Sequence, residues 1–117
     1  MATSEPEGRF AVRRQVHEDR VVVWLQGEID LMVADRLLSE LHAAVEQSPE
    51  IEVDLAEVTF LDSTGIRALL NAHAAALRLG HRIYVTNASG IVMQVLEVTG
   101  VDSLLTADPR DRRPQGR

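Results

Sequence analysis

Val58-Thr59-Phe60-Leu61-Asp62-Ser63-Thr64-Gly65-Ile66 is the stretch on which the fold turns. An apolar strand runs into Asp62-Ser63-Thr64-Gly65, and a helix follows directly. A helix start carries unpaired backbone N–H groups and the positive end of the helix dipole, so it tolerates added negative charge. A serine hydroxyl at such a place suits a phosphate better than a hydrolytic centre. Asp62 and Ser63 are also both preferred capping types, so the stretch alone reads equally as plain helix entry, the commoner use of these residues.

Upstream of this turn, Phe10 to Val16 alternates loosely as a first strand and His17-Glu18-Asp19 makes a polar turn. Arg20 to Gln26 is a second strand, ending in a Gly27-Glu28-Ile29-Asp30 turn. Its continuous Val21-Val22-Val23-Trp24-Leu25 run predicts burial on both faces, and the short connection predicts an antiparallel hairpin. Leu31 to Gln47 carries Val33, Leu37, Leu38, Leu41 and Val45 at helical spacing, with Asp35, Arg36, Glu40 and Glu46 mostly off that face. Asp30 is its N-cap candidate, and Ser48-Pro49 ends it. Ile51 to Leu55 alternates as a strand, and Val58 to Leu61 leads into the serine turn.

Downstream, the pattern predicts a second helix over Ile66 to Leu79, with Ile66, Leu69, Leu70, His73 and Leu77 on one face and Gly80 as its stop. His73 reads as a satisfied, partly buried histidine. Arg82 to Thr86 is the next strand. Ser89 to Val98 reads as a third helix, with Ile91, Val92, Val95 and Leu96 clustering, and Val101 to Leu105 as a short last strand. Residues 1–8 read as a disordered N-terminus and 108–117 as a flexible arginine-rich tail.

This order defines an α/β fold: one domain, with a mixed, mostly parallel sheet of about four to five strands and packed helices. Parallel strands bring their C-terminal ends to one edge, where functional loops gather. Both Gly27-Glu28-Ile29-Asp30 and Asp62-Ser63-Thr64-Gly65 follow strands at that edge. Topology therefore predicts that two motifs far apart in sequence are neighbours in space.

Composition narrows the chemistry. The 117 residues contain no cysteine, which removes disulfides and thiolate metal sites. All twelve basic residues are arginine, so neither Schiff-base chemistry nor a phosphate-loop lysine is available. The net charge is −6, and Arg110, Arg112, Arg113 and Arg117 all lie in the tail. The remainder carries eight arginines against sixteen acids, a charge of −8. Such a body disfavours nucleic acid and suits either a basic partner surface or simple solubility. Nothing reads as a membrane span or signal peptide, which points to the cytoplasm and to no direct membrane insertion.

The chain reads as no enzyme and as needing no cofactor. Asp62-Ser63-Thr64-Gly65 is not a nucleophile elbow, and His17, His42, His73 and His81 show neither a base position for Ser63 nor metal-ligand spacing. A phosphate on Ser63 would instead add about −1.5 to −2 charges beside Asp62. An interface packed there would then face like charge and desolvation.

Three stretches, in this order, carry a resemblance: Gly27-Glu28-Ile29-Asp30, Phe60-Leu61-Asp62-Ser63-Thr64-Gly65-Ile66, and Ala88 to Gly100 with Val101-Asp102. Together they resemble the STAS domain of bacterial anti-sigma factor antagonists, over residues 9–107. The resemblance implies a partner switch. Unphosphorylated, such a protein captures an anti-sigma factor that is a serine kinase, and the sigma factor is freed. The kinase phosphorylates the serine after the aspartate, here Ser63, and a serine phosphatase resets it. Thr64 is a secondary candidate. The resemblance puts Glu28, Asp30, Asp62, Ser63, Thr64 and Gly65 in the partner-binding surface, and the polar flank of the second helix adds Arg67 and Asn71. An alternative with the same fold is a scaffold subunit of a membrane lipid-transport ATPase complex, which needs no kinase.

Overall fold

β1 (Phe10–Val16) and β2 (Val21–Ile29) form the expected antiparallel hairpin, closed by a bond from the His17 N–H to the Arg20 carbonyl. The computed structural model describes residues 10–105, so the readings for 1–8 and 108–117 lie outside them. From β2 the chain crosses through α1 (Leu31–Gln47) to β3 (Glu50–Leu61), and through α2 (Ser63–Arg78) to β4 (Arg82–Thr86). Both crossovers join parallel neighbours, giving the strand order β1-β2-β3-β4. Two short helices follow, α3 (Gly90–Thr99) and α4 (Val101–Leu104).

The period-two pattern sorts the sheet into two faces. Val21, Val23 and Leu25 of β2, with Ile51, Val53 and Leu55 of β3, are buried in the core. Val33, Leu37, Leu41 and Val45 of α1 and Ile66, Leu69, Ala72 and Ala76 of α2 join the same cluster. The opposite face carries the cross-strand rows Val22–Glu52–Tyr84 and Trp24–Asp54–Thr86. There Arg20 Nε and Thr86 Oγ1 donate to Glu52, Arg82 donates to Glu50, and the Arg13 guanidinium lies 4.7 Å from the Trp24 ring centre.

Several elements depart from the pattern-based reading. β2 continues through Gly27-Glu28-Ile29 instead of turning there, because pairing with β3 resumes after register shifts around Gly27. Gly27 accommodates one shift with φ of 98°. For the same reason Glu50–Leu61 is one strand, not two. α2 begins at Ser63, and its buried side is made mostly of small residues, leaving Leu77 exposed. His73 is not satisfied: its Nδ1 is buried without a hydrogen-bond partner. On α3 only Val92 and Leu96 are buried, while Ile91 is exposed.

Val101–Leu104 is a helical turn, not a fifth strand. Gly100, with φ of 78°, reverses the chain, and the Leu105 N–H donates to the Val101 carbonyl. Val101 and Leu105 are both buried while Ser103 between them is exposed, which is helical rather than alternating burial. One bond, from the Val85 N–H to the Leu105 carbonyl, still fastens this segment to β4.

Candidate functional site

β2 and β3 end side by side, with Ile29 opposite Leu61 and Glu28 opposite Phe60. Each strand then yields an aspartate and a helix. Asp30 adopts an extended backbone, and its Oδ1 accepts the Met32 N–H at 3.0 Å. Asp62 does the same for α2, accepting the Thr64 N–H at 2.9 Å and the Gly65 N–H at 3.4 Å. The Thr64 hydroxyl donates to that same Asp62 oxygen.

The two caps are joined directly. The Asp62 N–H donates to the Ile29 carbonyl at 3.2 Å. Behind this bond, α2 presses on both strand ends at Gly65. A Cβ there would lie 2.4 Å from Leu61 Cδ1 and 2.7 Å from Ile29 Cγ2. The glycine thus seats the start of α2 against β2 and β3, with no side chain between.

Ser63 is the first residue of α2 and is exposed, whereas Thr64 is partly buried and bonded to Asp62. Neither α1 nor α2 has an acid in its first turn, so the caps alone compensate the positive helix ends. Asp30, Asp62, Ser63, Thr64 and Gly65 therefore converge, and Glu28 lies just before them on β2. Arg67 is exposed one turn along α2. Asn71 leads farther away, and its Oδ1 lies 3.0 Å from His42 Nε2 of α1, tying the helices together.

Two exposed side chains of this edge escaped the sequence reading: Leu31 and Met32, at 72% and 84% exposure. They lie off the Val33-Leu37-Leu41 stripe, in a first turn that ordinarily favours acids; that mismatch was the available signal. Among the described residues no group of three His, Asp or Glu side chains is placed to hold a metal ion. The open groove lined by Arg13, Trp24, Gln26, Asp54 and Glu57 contains none of the convergent residues.

These features define an α/β domain that displays a serine on a doubly capped edge. A family model described as "Mlab, STAS domain" matches residues 12–106, and the chain belongs to the STAS domain family. In sequence it is 25% identical over 89 residues to the anti-sigma-B factor antagonist of Bacillus subtilis, covering 76% of this chain and 82% of that one. In structure it is similar to an anti-sigma factor antagonist from Mycobacterium paratuberculosis, with 28% identity, a TM-score of 0.72, and 89% and 88% of the two chains covered. It also shares the fold of unphosphorylated SpoIIAA of Bacillus, at 22% identity, a TM-score of 0.69, and 92% and 97% coverage.

Proposed function

We propose that this protein is an anti-sigma factor antagonist of the partner-switching kind. Its unphosphorylated form binds an anti-sigma factor serine kinase in the cytoplasm and frees the sigma factor. Phosphate on Ser63 ends the binding, and a serine phosphatase restores it. The observation that carries this reading is the exposed Ser63 at the start of α2, fixed beside the Asp30 cap by the Asp62–Ile29 bond. Charge added there meets Asp30 and Asp62 at once, so a partner seated on this edge is repelled while the core is untouched. Glu28, Asp30, Asp62, Thr64 and Gly65 form the contact surface with Ser63, Arg67 and Asn71 flank it, and the domain binds without catalysing.

The test is a paired pull-down from the native lysate with Ser63→Ala and Ser63→Glu baits. A serine kinase held by the alanine bait and lost from the glutamate bait is the expected result. A transport ATPase recovered equally by both would replace the switch with the scaffold reading and reduce Ser63 to helix entry.

A further inference from the structure

The first turn of α1 is chemically out of place. The positive end of a helix favours Asp and Glu, yet neither α1 nor α2 has an acid there, and of the two only α1 exposes large apolar side chains in that turn. It carries Leu31 and Met32, exposed at 72% and 84%. Neither serves the core, whose stripe on α1 begins at Val33. Exposed apolar side chains are common on protein surfaces, so it is their place beside the Ser63 edge that makes this pair a candidate partner contact.

That place follows from the geometry. Leu31 precedes His42 by three helical turns, and His42 meets Asn71 of α2, so Leu31 lies on the α2 side of α1. Asp30 caps α1 immediately before it, and the Ile29 carbonyl accepts from Asp62, the residue before Ser63. Leu31 is thus continuous with the Ser63 edge, and Met32 lies beside it, about 100° further round the helix. Asp30, Asp62 and Asp35, one turn on from Leu31, supply acidic neighbours.

We infer that Leu31 and Met32 are the apolar anchor of the partner interface, and that the occupant is the kinase face that reads Ser63: an apolar pocket rimmed by arginine or lysine. This rests on the function proposed above. It divides the labour within one surface. Burial of the two side chains holds the complex, and charge at Ser63 decides whether it forms. A phosphate beside a desolvated apolar contact is weakly screened, so a single modification suffices to release it.

The experiment is calorimetric titration of the full-length protein with the purified serine kinase recovered by the Ser63→Ala bait. The Leu31→Ala/Met32→Ala variant keeps strong helix formers at exposed positions, so its melting temperature should match wild type. Its affinity is expected to fall about thirtyfold or more, as for interface hot spots. Ile91→Ala/Val98→Ala removes another exposed apolar pair, from α3, and is expected to bind as wild type. A Leu31→Ala/Met32→Ala protein within about twofold of wild-type affinity overturns the anchor and leaves the Ser63 switch standing. Equal losses in both double variants overturn it as well. Kinase binding that is indifferent to Ser63→Glu but lost in Leu31→Ala/Met32→Ala overturns the switch and retains the anchor. A wild-type protein that binds no kinase overturns both.

Discussion

At the scale of single residues, Gly65 carries the most constraint at the site. Its backbone is helical, so the demand is for space, not for an unusual φ. A methyl group would enter the space of Leu61 and Ile29, both core residues at 3% and 0% exposure. Overpacking of this kind costs about 1–3 kcal/mol, against a gain of about 1 kcal/mol from replacing glycine by alanine in a helix. Gly65→Ala is therefore expected to destabilise the domain by up to about 2 kcal/mol, measured by urea unfolding. A stabilised variant would mean that the strand ends yield and that Gly65 does not fix the seat of Ser63. The capping chemistry of Asp30 and Asp62 was legible in the sequence, because it depends on residues two or three positions away. The role of Gly65 was less so, because it depends on Ile29 and Leu61 being brought together by strand pairing.

At the scale of elements, local chemistry and pairing divide the outcome. The bounds of α1 match the reading of its cap and stop, Asp30 and Ser48-Pro49. β2 and β3 run longer than their patterns, because parallel pairing continues across the irregularity at Gly27. Five residues from Val101 to Leu105 suit either period, and packing chose the helix. β4 gives a pH prediction. Tyr84 is only 6% exposed, and burial, then Glu50 and Glu52, push its phenol up from 10.0 to about 12. The fold therefore favours the neutral phenol, while the unfolded chain ionises first. Stability from this preference is complete below pH of about 10 and is lost as pH rises through about 12. Unfolding free energy should fall across that window, and Tyr84→Phe should flatten the fall. Tyr84 is the sole tyrosine, so phenolate absorbance titrates it directly. A midpoint near the ordinary value would show that the phenol is solvated.

At the scale of the whole molecule, the switch and the core are separable. Among the described residues, buried side chains from each of the four strands and four helices join one cluster, with Val22 and Tyr84 buried apart from it on the other face of the sheet, and Ser63 lies outside it. The neighbourhood of the two motifs was foreseeable from topology, since β2 and β3 are parallel and share an edge. The register that joins Asp62 to Ile29, and the exposed Leu31-Met32 pair, needed the packed chain. This separation fixes what a charge at Ser63 does to stability. At the first position of α2 it meets the positive helix end, worth about 0.3–1 kcal/mol, and the opposing field of Asp62. Ser63→Glu is thus expected to melt at or slightly above the wild-type temperature while it loses the kinase. Thermal unfolding of the two proteins at matched concentration checks this. If Ser63→Glu were instead destabilised by more than about 1 kcal/mol, its lost binding would report damage to the fold, and release would need a conformational step in place of local repulsion.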